Sequence, residues 1–489
     1  MSRRAGLLLP VSSLPGPFGM GDLGPISREL LAWMEAAGVR VWQMLPVNPI
    51  GADGSPYSGP SGFAGESLLL SLDDLLADGW IRPDEKTFLR GGPVDYGAVR
   101  EHRGPILGVA ASRVAASIDL SGWRAERPWV DDWALFSALT ASDGPDWTRW
   151  PERLRERDPE SMANARDRLA KPIAEALGAQ WLFEKQWERL SREARIRGIS
   201  LWGDLPILVD LCSADVWACP TGWRLDAARR PVVVSGAPAD AFNPLGQRWG
   251  HPLPDLEAQR ATEFRWFRDR AVTALSRFDT VRIDHFRGFA GLWAVPAADS
   301  DALGGSWTPG PGAAALDVLR AAAGDRLLPY VAEDLGVITD EVVALRDSFG
   351  APGMAVLQFA FGDDPQSDSA DHPYLPHRHK PHQVVFTGTH DNDTSAGWYD
   401  ALDEQGKDRV RRYLGTDDRG MPWALVVAAL RSVADTTIVP MQDLLGLPST
   451  GRMNIPGVSG GSWSWRMGRD ALNSPLARRV REQVALSGR

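Results

Sequence analysis

The sequence predicts a (β/α)8 barrel. Three observations lead there: eight short apolar runs bounded by turn signals, helical patterns between several of them, and ionisable residues gathered where three of the runs end. The runs fall at about 6–11, 39–45, 199–207, 280–286, 328–334, 353–359, 383–389 and 436–442. Several are almost continuously apolar, as parallel strands buried on both faces must be. Between the first two, Ile26, Leu30, Leu31 and Met34 recur at helical spacing and predict a helix over 25–37. A second, over 339–348, opens with Thr339 and the acidic pair Asp340-Glu341, which suits the positive end of a helix. An open doubly wound sheet is the alternative architecture.

The spacing of the runs is uneven. Excursions at about 46–198, 208–279 and 397–435 are too long for barrel connections. They predict helical insertions, such as the charged stretch 151–177, covering the active-site face of a single domain over 1–489. Length alone would also suit about three domains. The charge balance of 53 basic against 63 acidic residues, −10, contains no basic run. That argues against nucleic acid or an anionic membrane as partner. The two cysteines, Cys212 and Cys219, rule out a disulfide scaffold and point to a reducing compartment. The longest uncharged apolar stretch, 421–430, is about half a membrane span. The start, Arg3-Arg4 then Leu7-Leu8-Leu9, imitates a signal peptide but turns polar at Ser12, so a cytoplasmic location is expected. The 21 tryptophans among 489 residues suit large aromatic cores, sugar-stacking platforms, or both.

Three motifs fail on context. Gly19-Met20-Gly21-Asp22-Leu23-Gly24 fits the dinucleotide pattern, but Pro15 and Pro17 break the required tight turn and no acid follows at ribose distance. Gly457-Val458-Ser459-Gly460-Gly461 fits a nucleophile elbow, yet no histidine follows His390. His372, His377, His379 and His382 cluster among prolines without metal-ligand spacing and read as a solvated loop.

The informative residues stand at the strand ends. The fourth run ends Arg282-Ile283-Asp284-His285-Phe286-Arg287, the fifth Glu333-Asp334, and the seventh Thr389-His390-Asp391-Asn392-Asp393. In a barrel these ends converge on one mouth. Two converging carboxylates with a third beside them suit glycosyl transfer: one attacks the anomeric carbon while the other protonates the leaving oxygen. Arg282 alternates onto the same side of its strand as Asp284, where its charge is expected to lower the Asp284 pKa. Glu333 needs the opposite shift, from burial and neighbouring negative charge.

At these residues the sequence resembles the 4-α-glucanotransferases, the bacterial amylomaltases and plant disproportionating enzymes. The matching blocks include Ser12 to Gly16, Ser55-Pro56-Tyr57, Phe63-Ala64-Gly65, Gly203 to Ile207 and Ser213 to Trp217. They continue through Gly246 to Gly250, Arg282 to Phe289, Ala332 to Gly336, Thr387 to Thr394 and Arg452-Met453-Asn454. The resemblance implies a barrel of the α-amylase clan with no separate C-terminal β-domain. It assigns the nucleophile to Asp284, the acid/base to Glu333 and a transition-state-stabilising carboxylate to Asp391. Arg282, His285 and His390 become the shell of the donor sugar, with Ser55 and Tyr57 beside it, Tyr57 as stacking platform. Asp240, Gln247 and Trp249 fall in the acceptor loop, and Asp363 and Asn454 become further substrate contacts. The implied chemistry is retaining transfer between maltooligosaccharides or α-1,4-glucans, without cofactor or metal. His251 departs from the family's usual Asn. A hydrolase, or a silent glucan-binding protein on the same fold, is the competing reading.

Overall fold

The computed structural model describes residues 3–51, 53–89, 91–239, 243–362, 369–458 and 460–489. In chain order its strands are β1 (Arg4–Leu8), β2 (Val41–Gln43), β3 (Ser200–Leu205), β4 (Val233–Ala237), β5 (Gln247–Pro252) and β6 (Thr280–Ile283). Then come β7 (Gly291–Pro296), β8 (Ser306–Pro309), β9 (Tyr330–Ala332), β10 (Gly353–Val356), β11 (Gln383–Phe386) and β12 (Thr436–Pro440). Eight of them form one parallel sheet in the order β10-β11-β12-β1-β2-β3-β6-β9. Each coincides with one of the eight apolar runs.

The sheet closes on itself. Beyond the ladders, the Ala332 N–H donates to the Pro352 carbonyl at 2.9 Å, joining the ends of β9 and β10. The Asp334 carboxylate adds a second tie by accepting the Met354 N–H at 2.7 Å. Leu8, Val41, Trp202, Val331, Val356, Ile438 and Trp463 belong to the cluster that fills the barrel, with Tyr57 packed against it. The interior is therefore a packed core, and chemistry is confined to the C-terminal rim. The helices Pro25–Ala37 and Asp340–Phe349 fall where the periodicity puts them, capped at their C-termini by Gly38 and Gly350 in the left-handed region.

The charged stretch 151–177 is helical but in three pieces, Glu152–Arg155, Pro159–Arg168 and the start of Ala170–Ile196, rather than continuous. Asp158 caps the second by accepting the Ser161 N–H, and the chain breaks again at Leu169. One expectation changes: the excursions are not purely helical. β4 and β5, from the excursion after β3, join β7 and β8, from the connection after β6, in an antiparallel sheet ordered β5-β4-β7-β8. No strand follows β12 among the described residues. No described helix is long and apolar enough to cross a membrane.

Candidate active site

Strand pairing builds the centre of the site. β3 and β6 run parallel with Asp204 directly beside Arg282, so both side chains leave the sheet on one face. Arg282 Nη1 lies 2.8 and 2.7 Å from the two Asp204 oxygens and 2.9 Å from Asp284 Oδ1. Burial alone would lower the guanidinium's pKa, but Asp204 and Asp284 outweigh it and hold the charge in place. β9 brings Glu333 alongside: its backbone N–H donates to Ile283 O at 3.0 Å, and the Phe286 N–H donates back to Glu333 O. The Glu333 carboxylate accepts the His285 N–H at 2.6 Å and the Leu335 N–H at 3.1 Å. His285 reaches this position in the left-handed region, at φ 49°.

Burial pushes both carboxyls up, Asp284 to about 8 and Glu333 to about 7, with Arg282 opposing it at each. The rise at Glu333 is the expected one. At Asp284 the expected depression is overturned, because desolvation, with Asp204, Glu333 and Asp391 nearby, exceeds the pull of a single shared guanidinium. The two acids titrate as a pair. Asp334, adjacent in sequence, is spent on structure through Arg346 and Met354.

Tyr57 crosses to the opposite wall. Its hydroxyl donates to Asp204 Oδ2 at 2.8 Å and lies 2.9 Å from His390 Nε2. With its proton used, the hydroxyl accepts from His390, which assigns the Nε2–H tautomer. The two rings stack at 5.3 Å and 13°. Ser55 fixes the loop by accepting the Tyr57 N–H at its Oγ, 3.2 Å. Burial lowers the pKa of both His390 and His285, the latter to about 3, so neither carries charge near neutrality. Asp391 points into the mouth, its side chain 44% exposed. Asn454 Nδ2 donates to its Oδ1 at 2.7 Å, and Arg452 holds its carbonyl at 2.8 Å. Its neighbour Asp393 instead accepts Ser449 Oγ and the Thr394 N–H.

On the other side, β5 carries Gln247 and Trp249, and His251 follows past an irregularity in the β4–β5 register where Gly250 sits at φ 87°. The Trp249 ring meets His285 edge-on at 4.7 Å and its Nε1 donates to Gln247 Oε1 at 3.2 Å. His251 is buried, its Nδ1 unbonded. Asp240 and Asp363 lie outside the described residues. Gly457 comes within reach of Asn243 and Gln247: a Cβ there would stand 3.0 Å from Asn243 Nδ2. Its φ of 77° and this close approach explain a glycine where the β12-side loop meets the β4–β5 hairpin.

The site thus unites Asp284, Glu333, Asp391, Arg282, His285, His390, Ser55, Tyr57, Gln247, Trp249 and Asn454 at one rim. Asp204, Arg452 and Trp463, whose ring lies 5.6 Å from Tyr57, were not singled out as site residues from the sequence. The signal available was Asp204's place at the end of the third run, but it has no neighbouring histidine. Of the clustered histidines, His372 and His379 are buried rather than solvated; His379 bonds Ser432 Oγ and Tyr374 O. In the Gly19–Gly24 segment, Gly21 is packed so closely on the Val11 carbonyl that a Cβ would stand 2.0 Å from it, leaving no space for a phosphate.

A closed parallel barrel with paired, half-buried carboxylates at its C-terminal rim and a third opposite defines a barrel enzyme of glycosidic-bond chemistry. The family described as 4-alpha-glucanotransferase matches residues 9–471. The chain is 42% identical over 505 residues to the chloroplastic/amyloplastic 4-alpha-glucanotransferase of Solanum tuberosum, covering all of this chain and 86% of that one. It is 41% identical over 510 residues to the 4-alpha-glucanotransferase of Thermus thermophilus, covering 100% and 99%. Among solved structures, the amylomaltase from Streptococcus agalactiae in complex with acarbose superposes with a TM-score of 0.93 at 31% identity, covering 100% of this chain and 99% of that one. The chain belongs to the 4-alpha-glucanotransferase family.

Proposed function

We propose that this chain moves α-1,4-glucan segments between maltooligosaccharides by a retaining double displacement, with Asp284 as nucleophile and Glu333 as acid and base. The observation that carries the assignment is Arg282 bridging Asp204 and Asp284, with the half-buried Glu333 carboxylate held beside them by the His285 N–H. Asp284 attacks C1 of the donor while Glu333 protonates the departing glycosidic oxygen, leaving a β-linked glycosyl-enzyme. Glu333, now ionised, takes the proton from the 4-hydroxyl of an acceptor glucan, and an α-1,4 bond replaces the ester. Asp391, held by Asn454 and Arg452, grips hydroxyls of the donor ring as it distorts toward the oxocarbenium-like state. Tyr57, stacked on His390, offers the donor ring its apolar platform. Maltotriose tests the reading: a ladder of longer sugars with glucose supports transfer. Maltose and glucose alone mean hydrolysis, and an unchanged substrate means binding only.

The raised pKa values give a pH prediction. Reaction needs one proton on the Asp284–Glu333 pair: fully protonated it lacks a nucleophile, fully ionised it lacks an acid. The pH profile of kcat/KM is therefore expected to be bell-shaped, its acid limb well above the ordinary carboxylate value near 4. An acid limb at that ordinary value would show that burial does not govern the pair.

Water competes for the same intermediate, and an acceptor site must outcompete it by proximity, worth an effective molarity of up to about 10⁵ M or more. Trp249 stands on His285, beside the nucleophile. Trp249→Ala is expected to raise the ratio of new reducing ends to transferred glucose, since pure transfer creates none. A proportional loss of both would make Trp249 a packing residue.

A further inference from the structure

The antiparallel sheet β5-β4-β7-β8 has one edge strand at the catalytic centre, through Trp249 and His285. Three strand spacings, about 14 Å, separate it from the other edge, β8. There Trp307 is 42% exposed. It is paired directly with Trp293 of β7, the rings meeting edge-on at 5.1 Å. The guanidinium carbon of Arg287 lies 3.5 Å from the centroid of the Trp307 ring. Arg287 belongs to the turn Phe286–Phe289 and follows Asp284 by three residues, so their Cα atoms are within about 11 Å. Its Nη1 donates to the carbonyl of Val337 at 2.7 Å, in the loop that follows Glu333. Trp307 is therefore fastened to both loops that leave the strands of the catalytic pair, and it lies on the mouth side of the barrel.

The guanidinium is unsatisfied. Arg287 is only 8% exposed, yet among the described residues Val337 is its single hydrogen-bond partner, and its Nε is buried without one. Five donors with one bond made, beside a partly exposed indole, suit a neutral ring rich in hydroxyls: the indole takes the ring's apolar face and the guanidinium its oxygens. The mechanism as derived uses neither residue. We propose that Arg287 and Trp307 form a remote subsite for the α-1,4-glucan chain that extends out of the cleft, and that this subsite sets the preference for longer chains. The inference rests on the glucan-transfer reading and adds a contact that a short substrate does not reach.

The test compares kcat/KM for maltotriose and maltoheptaose in the native enzyme, Trp307→Ala and Trp307→Phe. Loss of an aromatic stacking contact predicts that Trp307→Ala erodes the advantage of maltoheptaose over maltotriose at least about fivefold. Trp307→Phe, which keeps an aromatic face, restores most of it. Equal losses on both sugars, or an unchanged ratio, overturn the proposal, the first marking Trp307 as structural. Calorimetric binding of the same two sugars to the Asp284→Asn protein gives the comparison without turnover. A native enzyme that makes no ladder but binds maltoheptaose through Trp307 would sink the transfer reading and leave the subsite standing.

Discussion

Replacing Asp284 with Asn, or Glu333 with Gln, is expected to lower turnover by at least about 10³-fold while maltooligosaccharides still bind. Each residue is essential to a different bond event. The Asp284→Asn enzyme would lack the charge that attacks C1, although its amide oxygen could still accept a hydrogen bond from Arg282. The Glu333→Gln enzyme would have no proton to give the leaving oxygen and no base for the acceptor hydroxyl. The binding surface, Tyr57 with His390 and Trp249 with His285, is untouched by either change. Steady-state rates on maltotriose with calorimetric binding of the same sugar make the check. Near-native turnover in either variant would remove that residue from its role.

Arg282→Leu is expected to cost about 3–5 kcal/mol of stability as well as activity, because it removes the cation that bridges the buried Asp204 and the half-buried Asp284. The Asp204 side chain is 0% exposed, and its remaining bond is to Tyr57. Urea unfolding should show the midpoint fall with little change in slope. The pH dependence separates charge from packing. Asp284 sits at about 8 even with Arg282 present, and without it goes higher. A carboxyl whose folded pKa is raised contributes its full stability below the unfolded value near 4 and loses it as pH rises toward the folded value. Up to about 8 this group loses stability alike in both proteins, so the extra deficit of the variant should open as pH rises above about 8. A deficit that is constant with pH would mean that Arg282 matters for its volume alone.

The eight barrel strands were legible because a strand covered by helices must be apolar on both faces, and runs such as 353–359 and 383–389 announce that without help from elsewhere. The antiparallel sheet was not. Val233–Ala237, Gln247–Pro252 and Ser306–Pro309 are short, carry glycine, proline or charge, and become strands only by pairing: the first with the second and, across some 60 residues, with Gly291–Pro296, the last with Gly291–Pro296. Likewise Phe286 to Phe289 reads as a strand end by composition but turns away at His285, in the left-handed region.

The same division runs through the site. Which ionisable residues stand at strand ends can be read along the chain, and with it that Asp284, Glu333 and Asp391 meet at one mouth once the barrel closes. Which of the acids there are free to react is settled only in three dimensions. Asp334 and Asp393 carry the same charge as their neighbours but are committed to Arg346 and Met354, and to Ser449 and Thr394. The sign of the Asp284 shift is settled there too. Arg282 two residues away argued for a lowered pKa, but Asp204 claims the same guanidinium from the next strand, and burial outweighs what remains. Pattern along a chain reports which side of an element is dry. A proton's affinity depends on every charge within a few ångströms and on the water excluded there, and those neighbours are chosen by strand register, not by adjacency in sequence.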